Sequence, residues 1–127
     1  MRYLVGTDSV HTTAAICDYL VDRATAEDTV TVLAVANATD QTAHRDGQEA
    51  LNVAPVRLAT VGDVETNFRS GNPADVLLDA VRDVDADEIV IGAHSGDPDA
   101  TRDLGSTARH LLEEADRPVI VVPIPSL

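Results

Sequence analysis

The sequence predicts an α/β fold: one domain, built on a five-stranded parallel sheet with helices on both faces. Three observations carry this. Apolar, β-branched runs alternate with stretches of helical periodicity along the chain, giving the order βαβαβαβαβ. Two of the runs, residues 30–35 and 119–122, are continuous rather than alternating, as strands buried on both faces are. The 127 residues suffice for one core, and neither a linker nor an internal repeat divides them.

Tyr3-Leu4-Val5 is a short apolar strand that ends in Gly6-Thr7-Asp8-Ser9. Over residues 11–24, Thr13, Ile16, Cys17, Leu20, Val21 and Ala24 recur at the spacing of one helix face. The strand at 30–35 follows, then a polar loop over 36–45 and a weaker helix over roughly 46–61. Pro55 is expected to kink or split that helix, and Gly62 to mark its end. Residues 64–69 alternate and read as a half-exposed edge strand.

Asn72 and Pro73 are an N-cap and first-turn pair for the next helix, whose apolar face is Ala74, Leu77, Leu78 and Val81. Ile89-Val90-Ile91 is a strand closed by Gly92. A long loop over 93–104 leads to Gly105 and a last helix with Ala108, Leu111, Leu112 and Ala115 on its apolar face. Pro118 introduces the final strand, which stops at Pro123.

Composition excludes several classes. No apolar run approaches the roughly 18 residues of a membrane span. The N-terminus has no signal-peptide pattern, and Cys17, the single cysteine, forms no intrachain disulfide. The expectation is a cytoplasmic protein. Nine Arg, no Lys and 22 acidic residues (16 Asp, 6 Glu) give a net charge of −13. Such a field repels nucleic acid and anionic membrane, so neither is an expected partner. The acids are dispersed rather than gathered in a tail. They read as the solvated surface of a protein adapted to a salt-rich, halophilic cytoplasm, where repulsion is screened within about 3 Å at 1 M ionic strength.

In an open parallel sheet, ligands sit outside the carboxyl ends of the strands, at the switch in strand order. Two specialised segments lie at such ends. Thr7, Asp8 and Ser9 follow the first strand. Gly92, His94, Ser95 and Gly96 follow the fourth and run on to Gly105, Ser106 and Thr107 at a helix start. Backbone N–H groups there suit phosphate. Read alone, Gly105-Ser106 is also an ordinary loop-to-helix transition.

Residues 92, 95, 105 and 106 fall on the spacing G-x2-G-x9-G-[S/T]. With this motif, and with Asp8, Val35, the segments 70–75 and 86–92 and the closing run 117–122, the sequence resembles the nucleotide-binding universal stress proteins over nearly its whole length. The resemblance implies one universal stress protein domain over 1–127 and the strand order 3-2-1-4-5. It implies a regulatory stress-response dimer that binds ATP or another adenine nucleotide. Asp8 and Val35 would hold the adenosine end. Gly92, Gly105, Ser106 and the loop backbone would hold ribose and phosphates, with Mg2+ or Mn2+ accompanying a triphosphate. It also places residues 119–122 (Val119, Ile120, Val121 and Val122) at a sheet edge, where a second copy would pair to form a homodimer.

One position departs from the pattern: Ser95 stands where the second glycine belongs, with Gly96 after it. Asp97, Asp99 and Asp103 share that loop with a single Arg102. A second reading is therefore an interaction protein that has lost nucleotide and acts through its dimer surfaces. A third is a true enzyme of the related nucleotide-hydrolase-like folds, but no general base is identifiable, so at most slow ATP hydrolysis is expected.

Other motifs fall away. No G-x-G-x-x-G follows the first strand, and without Lys there is no P-loop. Asp97, Asp99, Thr101 and Asp103 imitate the first half of a calcium loop, but Arg102 and Ala108 occupy its glycine and glutamate positions. His11, His44, His94 and His110 show no metal-ligand spacing, and no third group completes a Ser9–His11 pair as a nucleophile. Cys17 lies on an apolar helix face and reads as inert core.

The charge generates a first prediction. Self-repulsion destabilises the compact state at low ionic strength. The thermal unfolding midpoint is expected to rise between low and molar KCl, and a flat or falling curve would contradict the salt adaptation.

Overall fold

The computed structural model describes residues 1–94 and 104–125. Nine elements follow in order: β1 (Arg2–Thr7), α1 (Val10–Val21), β2 (Thr29–Ala36), α2 (Gln41–Arg57), β3 (Asp63–Ser70), α3 (Pro73–Asp83), β4 (Glu88–Gly92), α4 (Ser106–Glu114) and β5 (Val119–Val122). The five strands form one parallel sheet in the order β3-β2-β1-β4-β5, as expected. β1 is central: Val5 pairs with Val32 of β2 on one side and Val90 of β4 on the other.

Alternation along the inner strands divides the core into two layers. Tyr3 and Val5, Val30, Val32 and Ala34, and Val90 face one layer, together with Ile16, Cys17 and Leu20 of α1 and Leu51 and Ala54 of α2. Leu4, Leu33, Val35, Ile89 and Ile91 face the other, together with Ala74, Leu77 and Ala80 of α3 and Ala108 and Leu111 of α4. With only three aromatic residues in the chain, these layers are filled by aliphatic side chains. Close helix–sheet contact is what fills them densely. Gly6 shows the tolerance: a Cβ there would lie 2.7 Å from Leu77 Cδ1, so the bare β1 backbone is the seat of α3.

Several boundaries differ from the sequence reading. α1 covers residues 10–21 rather than 11–24, and Val21 is exposed. Ala36 belongs to β2, and α2 begins at Gln41, five residues earlier than expected. Asp40 caps it, its Oδ1 accepting the Ala43 N–H at 3.0 Å. The first turn, Gln41 to His44, is polar and mostly solvent-facing, which hid the helix from an apolar-periodicity reading. Pro55 neither splits nor divides α2. It lies in the final turn, where its missing N–H costs one bond and the helix runs only two residues further. Gly62 serves a different purpose from ending the helix: a Cβ would collide with the Ala26 carbonyl oxygen, and its own N–H reaches Thr25 O at 3.2 Å. On α4, Leu112 is 51% exposed rather than part of the apolar face. That helix has nine residues, and Ala108 and Leu111 are its buried contacts.

β3 is the half-exposed edge that its alternation predicted, and Asn72 and Pro73 open α3 as expected, with Asn72 Oδ1 accepting the Asp75 N–H. Cys17 is buried, and burial pushes its thiol up to about 11, which keeps it protonated and inert. No helix among the described residues is long and apolar enough to cross a membrane.

Candidate functional site

In the strand order 3-2-1-4-5 the chain runs outward from β1 through β2 to β3, then returns to add β4 on the other side. The carboxyl ends of β1 and β4 therefore flank the switch point, where a crevice must open. A cavity of about 580 Å³ lies there. Gly6, Thr7 and Asp8 come to it from β1, Val35 from β2, and Gly92 and His94 from β4; Gly105, Ser106 and Thr107 reach it from the start of α4. Leu77 and Ile91 supply apolar wall. The structure thus brings together eight residues named from the sequence: Thr7, Asp8, Val35, Gly92, His94, Gly105, Ser106 and Thr107. Ser95 and Gly96, with the acidic stretch through Asp103, lie outside the described residues.

Ser9 is not part of the cavity wall. Its Oγ accepts the Thr12 N–H at 3.2 Å and so caps α1. His11 also turns elsewhere, its Nε2 lying 2.7 Å from the Pro125 carbonyl oxygen. Ser9 and His11 are each committed to structural bonds, which removes the residual nucleophile reading.

The β1 end is held by a hydroxyl network. Thr7 Oγ1 and Thr13 Oγ1 lie 2.8 Å apart in the interior. Ser9 Oγ donates to Thr12 Oγ1 at 3.2 Å, and Thr12 Oγ1 donates to Asp8 Oδ1 at 2.7 Å. Thr12 is buried and also lines the cavity. Its methyl lies beneath Gly92, where an added Cβ would stand 3.2 Å from Thr12 Cγ2 and 2.9 Å from Ile124 Cδ1. One side chain therefore orients the carboxylate on one wall and supports the bare backbone on the other.

Gly105 has a different logic. Its φ of −71° is open to any residue, and an added Cβ would meet His94 Cα at 3.4 Å and Ala93 O at 3.7 Å, both ordinary contacts. The fold does not demand glycine here; a longer side chain would instead occupy space beside the cavity. α4 also lacks the side-chain cap that Ser9, Asp40 and Asn72 give α1, α2 and α3. Its first-turn N–H groups have no N-cap side chain to accept from them and border the cavity, where an anionic ligand could meet them.

The sequence reading missed Thr12, Pro73, Leu77 and Arg109 as cavity residues. Thr12 and Arg109 each stand four positions after a named residue, Asp8 and Gly105, in the first turn of the helix that follows it. That spacing was the available signal. Among the described residues no group of three or more His, Cys, Asp or Glu side chains is placed to hold a metal ion.

A doubly wound parallel sheet with a small-ligand cavity at its switch point defines an α/β protein of the Rossmann-like class. The model of the universal stress protein family matches residues 1–123, and the chain belongs to that family. No curated protein matches it. Among solved structures, a universal stress protein in complex with cAMP is similar at 22% identity and a TM-score of 0.73, covering 98% of each chain. The Archaeoglobus fulgidus universal stress protein in complex with dAMP is similar at 22% identity and a TM-score of 0.71, covering 96% of this chain and 97% of that one. A family protein from Arabidopsis thaliana with AMP bound shows 16% identity and a TM-score of 0.71, covering 98% of this chain and 92% of that one. These likenesses establish the shared fold.

The hydroxyl network yields a prediction. Thr12→Val keeps the methyl beneath Gly92 but releases Asp8; Thr12→Ser keeps the hydroxyl. Adenosine affinity, read by calorimetry, is expected to fall about tenfold in Thr12→Val and to recover in Thr12→Ser, the scale of one hydrogen bond to a charged group. Equal affinities in both variants would deny Thr12 a positioning role.

Proposed function

We propose that this protein is a regulatory nucleotide-binding dimer that holds an adenine nucleotide (ATP, ADP or AMP) in the cavity between β1, β4 and α4. The observation that carries the reading is the convergence of Asp8, Val35, Gly92, Gly105 and Ser106 on one cavity from four separate elements. Asp8 and Val35 take the adenosine end, and the glycine backbone and first turn of α4 take the phosphates. The similar structures carrying cAMP, dAMP and AMP support the same ligand class. No catalytic step enters the reading, and none is routed through a metal.

Binding is tested by calorimetry in molar KCl. The wild type is expected to saturate below millimolar nucleotide. Gly105→Val is expected to abolish binding while melting normally, because its Cβ meets only ordinary contacts and its branches extend beside the cavity. Absence of saturation in the wild type up to millimolar nucleotide would leave the protein as an interaction module without nucleotide.

The dimer is part of the proposal and rests on β5. This strand pairs with β4 alone, and its second edge carries no strand among the described residues. Val119, Ile120 and Val121 remain partly exposed. A second copy pairing across a two-fold axis covers both the open ladder and these side chains. The buried, lone Cys17 suits the reducing cytoplasm in which such a regulator would work. Light scattering in high salt is expected to report a dimer for the wild type and a monomer for Val121→Arg. A wild-type monomer at tens of micromolar would overturn the interface.

A further inference from the structure

We infer that the cavity selects a nucleoside monophosphate over the corresponding triphosphate, and that Arg109 is the residue that sets this preference. The inference rests on the nucleotide reading above and deepens it by naming the ligand's phosphate count.

The argument is one of charge. Three ionisable side chains line the cavity among the described residues: Asp8, His94 and Arg109. Arg109 is the one permanent cation of the three. It stands in the first turn of α4, where its N–H bonds Gly105 O at 3.1 Å. Helical side chains lean toward the helix N-terminus, so its guanidinium is carried back toward the turn whose backbone donors border the cavity. Several other arginines are engaged elsewhere: Arg57 with Asp18, Arg69 with Asp83, and Arg117 with Asp85. Arg109 forms no such ion pair among the described residues, and its planar fork matches one phosphate.

A single phosphate carries about −1.5 to −2 charges near neutral pH. One guanidinium and the α4 backbone donors answer that charge. A triphosphate adds more negative charge, and the described cavity wall has no second cation to meet it. The protein as a whole carries a net −13. Each further phosphate therefore meets a net-negative protein with no second permanent cation on the described wall, and the repulsion is strongest where salt is low.

The test is calorimetry of adenosine, AMP and ATP, the last with and without Mg2+, against the wild type and Arg109→Gln from low to molar KCl. AMP is expected to bind about tenfold more tightly than metal-free ATP at low salt, and the gap is expected to narrow with Mg2+, which lowers the net charge of the triphosphate, and as KCl rises. In Arg109→Gln the ratio of AMP to adenosine affinity is expected to fall about 10- to 100-fold, the scale of a charge-assisted hydrogen bond pair. ATP binding as tightly as AMP in low salt without Mg2+ would overturn the selection. An unchanged AMP-to-adenosine ratio in Arg109→Gln would overturn the assignment of Arg109. Failure of all three ligands to bind the wild type would instead overturn the nucleotide reading itself, a result distinct from the other two.

Discussion

Everything at the switch point depends on β1 being buried on both faces while hydrogen-bonded on both edges. Leu4 and Val5 point to opposite layers and are almost wholly inaccessible. The same three residues, Tyr3, Leu4 and Val5, pair with β4 on one side while pairing with β2 on the other. A strand held from four directions has one register, because a one-residue slip would exchange the two layers and move every paired residue. That fixed register sets where β1 stops, and so where Thr7 and Asp8 emerge relative to Gly92. The cavity is the gap left when two strands, each rigidly positioned, send their chains to opposite faces of the sheet.

The aliphatic character of the core makes this gap narrow and well defined. With few aromatic rings in the layers, glycine marks the points of closest approach between packed elements. Gly6 admits Leu77, and Gly92 admits both Thr12 and Ile124. These two glycines also line the cavity. The floor of the site is therefore backbone supported from below by packed methyl groups rather than by a loop. Gly105 is unlike them, since nothing beneath it requires the absence of a side chain.

The parts of this architecture that were legible in the sequence are those with a short-range physical signature. The continuous runs at 30–35 and 119–122 announced doubly buried strands, and Asn72-Pro73 announced a helix start. Strand order came from resemblance to a family, because register and neighbour choice are long-range properties that no local pattern encodes. α2 was misplaced for a different reason. Its first turn is mostly solvent-facing, so an apolar stripe begins only near Gly47, whereas its true start is written in the Asp40 cap. Leu112 was misassigned because a nine-residue helix at the sheet's margin buries a stripe narrower than periodicity alone suggests. In the site, residues with a motif position were found, while Thr12 and Arg109 were missed because they act one helical turn away from the motif.

Electrostatics completes the connection between surface and site. A molecule with 22 acidic and nine basic residues is a poor long-range attractor for any anion. An anion site in such a protein would have to rest on short-range donors that operate inside the screening length, such as backbone N–H groups at a helix start and a guanidinium. Short-range donors have fixed number and place, whereas a diffuse positive field rewards every additional negative charge. An acidic surface therefore removes the general preference for the most highly charged ligand and leaves the choice to local geometry.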